Sequence, residues 1–148
     1  MKEIYYLDKE ELPTIPVPHD CIIERIALKD GCIEFVFEDD IADHDSIQYY
    51  KPEARSLIIR YHLVDKYRPF YSIYKRSKPP RLISKLFRKE GCYKQLAGNA
   101  LQGLTKTDYK LSYLDHYVGY CEIMIRLCAD SDIIIAADID YAELEWIV

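Results

Sequence analysis

Around Asp30-Gly31 the chain alternates apolar and polar residues on both sides of a dipeptide suited to a two-residue turn. Both turn residues tolerate positive φ, the condition for a type I′ hairpin whose twist matches that of its strands. With the turn placed there, Leu28 faces Ile33, Ile26 faces Phe35 and Glu24 faces Phe37. The other face pairs Ala27 with Glu34 and Arg25 with Val36, and puts Arg25 diagonal to Glu34. One face is apolar and the other mixed, the pattern of an antiparallel sheet solvated on one side.

The same parity argument predicts two further pairings. With residues 65–69 as a loop, Leu63 falls opposite Tyr71, Tyr61 opposite Ile73, and Arg60 meets Tyr74. Near the end, Ile123, Ile125 and Leu127 share parity with Ile133, Ile135 and Ala137 across a short loop at Asp130-Ser131. Beyond Ile139 the apolar positions switch to Ala142, Leu144 and Trp146, which requires a bulge or bend near Asp140-Tyr141.

Residues 80–104 follow a different period. Leu82, Ile83, Leu86 and Phe87 fall at helical spacing between Pro80 and Gly91, predicting a short basic amphipathic helix. Tyr93, Leu96, Ala97, Ala100, Leu101 and Leu104 continue that spacing and predict a second helix, opposed by Gly98 and Gly103. Residues 105–120 fit both a strand and a helix. The expected fold is a single α+β domain over residues 1–148: a mainly antiparallel, twisted sheet of about six or seven strands, with one or two short helices between residues 80 and 104.

A chain of 148 residues buries enough surface to support one core without metals or disulfides. Its five cysteines form no Cys-x-x-Cys pair, and the opening residues lack the charged start and apolar run of a secretory signal. Reduced thiols, a cytoplasmic location and no membrane span are therefore expected.

Charge is segregated along the chain. Residues 1–55 hold 6 Lys/Arg against 14 Asp/Glu, residues 56–94 hold 11 against 2, and residues 95–148 hold 3 against 9. Such blocks either meet their complement within the fold or leave a local field for an oppositely charged partner. The second outcome would make Lys75, Arg76, Lys78, Arg81, Lys85, Arg88 and Lys89 a patch for an acidic protein partner. Tyr61, Tyr67, Phe70, Tyr71, Tyr74, Phe87 and Tyr93 interleave with these cations, an arrangement that also suits single-stranded nucleic acid. The overall charge of −5 disfavours a nucleic-acid role.

Catalytic and metal chemistry find little footing. There is no Gly-x-Ser-x-Gly elbow and no phosphate-cradling glycine loop. The acidic run at residues 38–45 lacks the ligand spacing and the glycine of a calcium loop. Histidine neighbours aspartate at His19-Asp20, Asp43-His44-Asp45 and Asp115-His116, but adjacent residues on a strand face opposite ways. No enzyme activity, cofactor or metal is expected. Two further classes are open: a small-molecule module in which the 14 tyrosines line a cavity, and a homo-oligomer formed through an exposed sheet edge or the Tyr-rich faces.

The stretch His19-Asp20-Cys21-Ile22-Ile23-Glu24-Arg25-Ile26, with Cys32-Ile33-Glu34-Phe35-Val36-Phe37, resembles the opening hairpin of several small bacterial all-β and α+β families. The closing segment, residues 133–146, is similar to theirs as well. Some of these families are uncharacterised and others are known or suspected immunity proteins of toxin systems. The resemblance implies a cytoplasmic binding protein, with an immunity role as one version, and assigns no catalytic residue.

Overall fold

A computed structural model describes residues 1–77 and 91–148. Within them the chain forms nine strands in one antiparallel sheet. These are β1 (Lys2–Tyr6), β2 (Ile22–Lys29), β3 (Cys32–Phe37), β4 (Ser56–Leu63), β5 (Tyr71–Arg76), β6 (Tyr93–Leu96), β7 (Leu111–Gly119), β8 (Glu122–Cys128) and β9 (Asp132–Ile147). The expected antiparallel sheet is present, with more strands than six or seven and very little helix. The helix expected over residues 80–90 lies outside the described residues. Among the described residues, helix is confined to α1 (Asp45–Gln48) and two 3-10 segments, Ile41–Asp43 and Gly98–Gly103.

The second expected helix does not form. Its first part is β6, which pairs with β5 through Ile73↔Leu96 and Lys75↔Lys94, and its second part is the 3-10 segment. Pairing with a vacant sheet edge satisfies backbone groups that a short, glycine-interrupted helix would leave open. The three-residue spacing of Leu101 and Leu104 survives because a 3-10 turn also repeats every three residues, and both side chains are buried.

Hydrogen-bonded pairing runs β4-β3-β2-β7-β8-β9 and returns from β9 to β4, so six strands close on themselves around the core. Closure removes two sheet edges. The narrow point is β2–β7, with only Ile22↔Ser112 and Ile23↔Leu111 in register. Asp20 N–H donating to Tyr113 O at 2.8 Å and Tyr113 N–H to Cys21 O at 3.0 Å extend it. Strand β9 is the spine. Its first half lies between β8 and β5 and its second half between β1 and β4.

Three bulges bend the wall. Register shifts place an extra residue at Glu24 in β2, Leu114 in β7 and Asp140 in β9. A bulge adds curvature and reverses parity downstream. At Asp140 it keeps Ile139, Ala142, Leu144 and Trp146 all inside, as the switch in apolar positions predicts. At Glu24 it corrects the expected register: Ile23, not Glu24, faces Phe37, because an apolar side chain gains by taking the core position. The rest of that hairpin stands as expected, with Leu28↔Ile33, Ile26↔Phe35, Ala27↔Glu34 and Arg25↔Val36. Its turn residues Asp30 and Gly31 have φ of 50° and 76°. The β8–β9 register, Ile123↔Ala137, Ile125↔Ile135 and Leu127↔Ile133, also matches.

The hairpin expected between β4 and β5 is absent. Both strands pair with the same edge of β9 and run in line. Val64 N–H donates to Asp138 O while Asp138 N–H donates to Phe70 O, so residues 65–69 form an excursion from one nearly continuous strand. Asp65 Oδ1 closes it by accepting from the backbone N–H of Tyr67 and Arg68 at 2.9 and 3.0 Å. Parity could not separate the two arrangements, because β4 and β5 present their apolar sides inward in both.

Inside, Phe35 stands edge-on to Tyr61 and Tyr113 with ring centroids 5.7 and 6.0 Å apart. The bulge at Leu114 lets Tyr113 and His116, three residues apart, both point inward. His116 Nε2 contacts Ile15 O at 3.2 Å, and a carbonyl only accepts, so Nε2 carries the proton. Nδ1 therefore accepts from Tyr113 Oη at 2.8 Å, and Tyr113 Oη accepts from Tyr61 Oη at 2.7 Å. Each polar group of this buried chain has a partner, the condition for burying it cheaply.

Candidate functional site

Among the described residues, part of the basic block meets the acidic blocks. Arg60, in the middle of β4, is opposite Glu34 on β3 and Glu143 on β9. Its Nε lies 2.9 Å from Glu34, and Nη1 lies 2.7 Å from both Glu143 and Glu145. Arg25 adds a contact to Glu34 at 3.0 Å and Lys2 one to Glu143 at 3.1 Å. The basic central block thus joins the acidic blocks on either side of it.

The same holds for the described end of the expected basic patch. Lys75 Nζ is 3.0 Å from Asp130 and Arg76 Nη1 is 3.8 Å from Asp132, both carboxylates flanking the β8–β9 turn. Lys78, Arg81, Lys85, Arg88 and Lys89 lie outside the described residues. The cross-strand neighbour of Lys75 is Lys94, a like-charged pair at that end of β5.

The histidines take separate structural positions. His19 Nδ1 donates to Leu114 O, the bulge carbonyl, at 2.6 Å. His62 stacks on Tyr141 with centroids 4.1 Å apart, and His116 belongs to the core chain. Asp115 faces away from His116 and receives Arg126 at 3.0 Å. Among the described residues, no three His, Cys, Asp or Glu side chains gather to hold a metal ion. Of the thiols, Cys21 and Cys32 are buried. Desolvation, then Asp20, pushes Cys21 up to about 12, and desolvation raises Cys32 too, which keeps both protonated and poorly nucleophilic.

A groove of about 530 Å³ lies on the outer face of β5, β9, β8 and β7. Cross-strand register organises it in rows. The central row is Tyr117, Met124, Ala136 and Ser72. One neighbouring row is Gly119, Glu122 and Asp138, reaching Phe70 through the Asp138–Phe70 backbone bond. On the other side Tyr74 lies opposite Ile134. Ala136 and Ser72 are small and leave a floor, while Phe70, just before β5, and Tyr74, within it, stand two residues to either side of Ser72. Tyr117 and Met124 form the opposite wall. Phe70 is 67% exposed, Tyr117 53% and Met124 37%.

Phe70 and Tyr74 were visible in sequence as aromatics of the basic block. Tyr117, Met124 and Ala136 carried no motif. The available signal was that the outward-facing positions Tyr117, Met124, Ile134 and Ala136 are apolar or small where solvated strands often carry polar residues. Compared with known proteins, the chain matches no family model, no curated protein and no solved structure.

Proposed function

We propose that this protein is a non-enzymatic binding module that holds a small ligand in the outer groove between Phe70, Tyr74, Tyr117 and Met124. The observation behind this reading is apolar area kept on the outside of a sheet whose inside is already filled. Exposed aromatic and thioether side chains around a small-residue floor cost solubility unless something covers them, and the groove is of ligand size. Tyr74 and Tyr117 supply the joined apolar and polar character that suits such a site. A thermal-shift screen of small molecules tests it. Ligands should raise the melting temperature by mass action, and Ala136→Trp, which fills the floor, should abolish the response while leaving the fold intact. A response unchanged in that variant would remove the groove from consideration.

A second reading is recognition of an acidic macromolecular partner in the cytoplasm, immunity-like in the version that the family resemblance implies. It is supported by the cationic excess of residues 56–94 and by Lys94 opposite Lys75. The pairing of Lys75 and Arg76 with Asp130 and Asp132 makes it the weaker of the two. Replacing Lys85, Arg88 and Lys89 by Glu should lower both affinity and its salt dependence for any partner recovered; unchanged values would end it.

A further inference from the structure

Resting on the groove reading above, we infer that the ligand is an organic cation, an amine or quaternary ammonium group on an apolar body. Glu122 and Asp138 sit directly opposite each other across β8 and β9 and both line the groove. Like charges at opposed positions destabilise a sheet. Several carboxylates on other strand faces are met by cations: Glu34 and Glu143 by Arg60, Asp115 by Arg126. Among the described residues, neither Glu122 nor Asp138 has a salt-bridge partner.

The surroundings deepen the negative field. Cys121, in the turn before β8, has its thiol pKa raised by desolvation and then by Asp140, Asp8 and Asp138. Glu122 folds across Gly119, whose missing β-carbon leaves the room: a Cβ there would come within 2.5 Å of Glu122 Oε1. That posture turns the Glu122 side chain toward β7, on the side of Tyr117. A cation entering the groove meets two carboxylates at one end and the rings of Phe70, Tyr74 and Tyr117 along its walls. Carboxylate and ring face both favour positive charge, and quaternary and alkylammonium groups are the ligands that such combinations hold. An anionic ligand is repelled by the same groups, and a neutral one gains only the apolar contact.

Phenethylamine, phenethyl alcohol and 3-phenylpropanoate share one apolar body and differ in charge, so they separate these cases. Each is titrated into the full chain carrying ¹³C-methyl labels on methionine and alanine, with Met124 and Ala136 as reporters on the wall and floor. Phenethylamine should shift both signals with affinity about tenfold above the alcohol, the scale of one partly solvated ion pair plus a cation–π contact. The propanoate should bind most weakly. In Glu122→Gln/Asp138→Asn the amine should fall to the level of the alcohol, whose own affinity stays unchanged. Removing the opposed charges should not harm the fold, and the remaining methyl signals report that directly. Amine and alcohol binding equally, or an amine preference that survives the double variant, would overturn the cation inference and leave the groove reading in place. No shift of Met124 or Ala136 with any of the three would overturn both.

Discussion

Replacing Arg60 by Met should destabilise the protein far more than an ordinary surface substitution. The guanidinium is 21% exposed, and its partners Glu34, Glu143 and Glu145 are 6%, 16% and 27% exposed, between the fully solvated and fully buried limits. Exposed pairs contribute about 0–1 kcal/mol, and breaking a buried pair costs about 3–5 kcal/mol because a charge is left uncompensated. At this intermediate burial the loss should be about 2–3 kcal/mol, or a fall in melting temperature of roughly 4–12 °C for a chain of this size.

The pH dependence gives a second handle on the same cluster. Desolvation works to raise the Glu34 carboxyl, but Arg60 and Arg25 outweigh it and hold the pKa below the ordinary 4.5. Glu143 is lowered likewise, by Lys2 and Arg60 against desolvation. A depressed carboxyl pKa contributes stability that is present above the unfolded value and disappears as pH falls through the folded one. Without Arg60 the carboxylates repel each other, and that repulsion vanishes on protonation. Urea unfolding of the two proteins at pH 7 and near pH 3 should therefore show a gap that closes in acid. Adding Glu34→Leu, Glu143→Gln and Glu145→Gln to Arg60→Met should recover most of the loss. An Arg60→Met protein as stable as its parent at pH 7, or a gap of the same size at both pH values, would refute the reasoning.

Tyr113→Phe should cost about 1–3 kcal/mol, because it leaves Tyr61 Oη and His116 Nδ1 buried without partners; Tyr61→Phe, which removes only the end of the chain, should cost less, and chemical denaturation of both variants ranks them. Desolvation lowers the pKa of His116 and of His62 below the ordinary 6.5. The unfolded state then binds protons that the folded state refuses, so stability should decline as pH drops below 6.5, and the decline should be shallower in His116→Gln when unfolding is followed by circular dichroism from pH 8 to 5. Deleting Asp140 removes the extra residue of the β9 bulge and would turn Ala142, Leu144 and Trp146 outward. The deletion should abolish cooperative unfolding, whereas Asp140→Asn, which keeps the backbone count, should retain it.

Local pattern determined a large part of this fold. The turn at Asp30-Gly31, the Ile123–Leu127 face against Ile133–Ala137 and the parity switch after Ile139 follow from period-two alternation and φ preferences, which act between neighbours in sequence. Tertiary structure decided what alternation leaves degenerate. Strands β4 and β5 satisfy the same inward parity whether they pair with each other or both with β9, and only closure of the ring selects the second. The apolar residues of the expected second helix serve equally as an edge strand and a 3-10 turn once β5 offers a vacant edge. Charge segregation was plain in the sequence, but which cations meet carboxylates depends on register, which brought Glu34 and Glu143 to Arg60 and left Glu122 facing Asp138. The groove draws on residues from Phe70 to Asp138 on four strands, so no local pattern could contain it; it exists because antiparallel pairing sets Ser72, Ala136, Met124 and Tyr117 in one row.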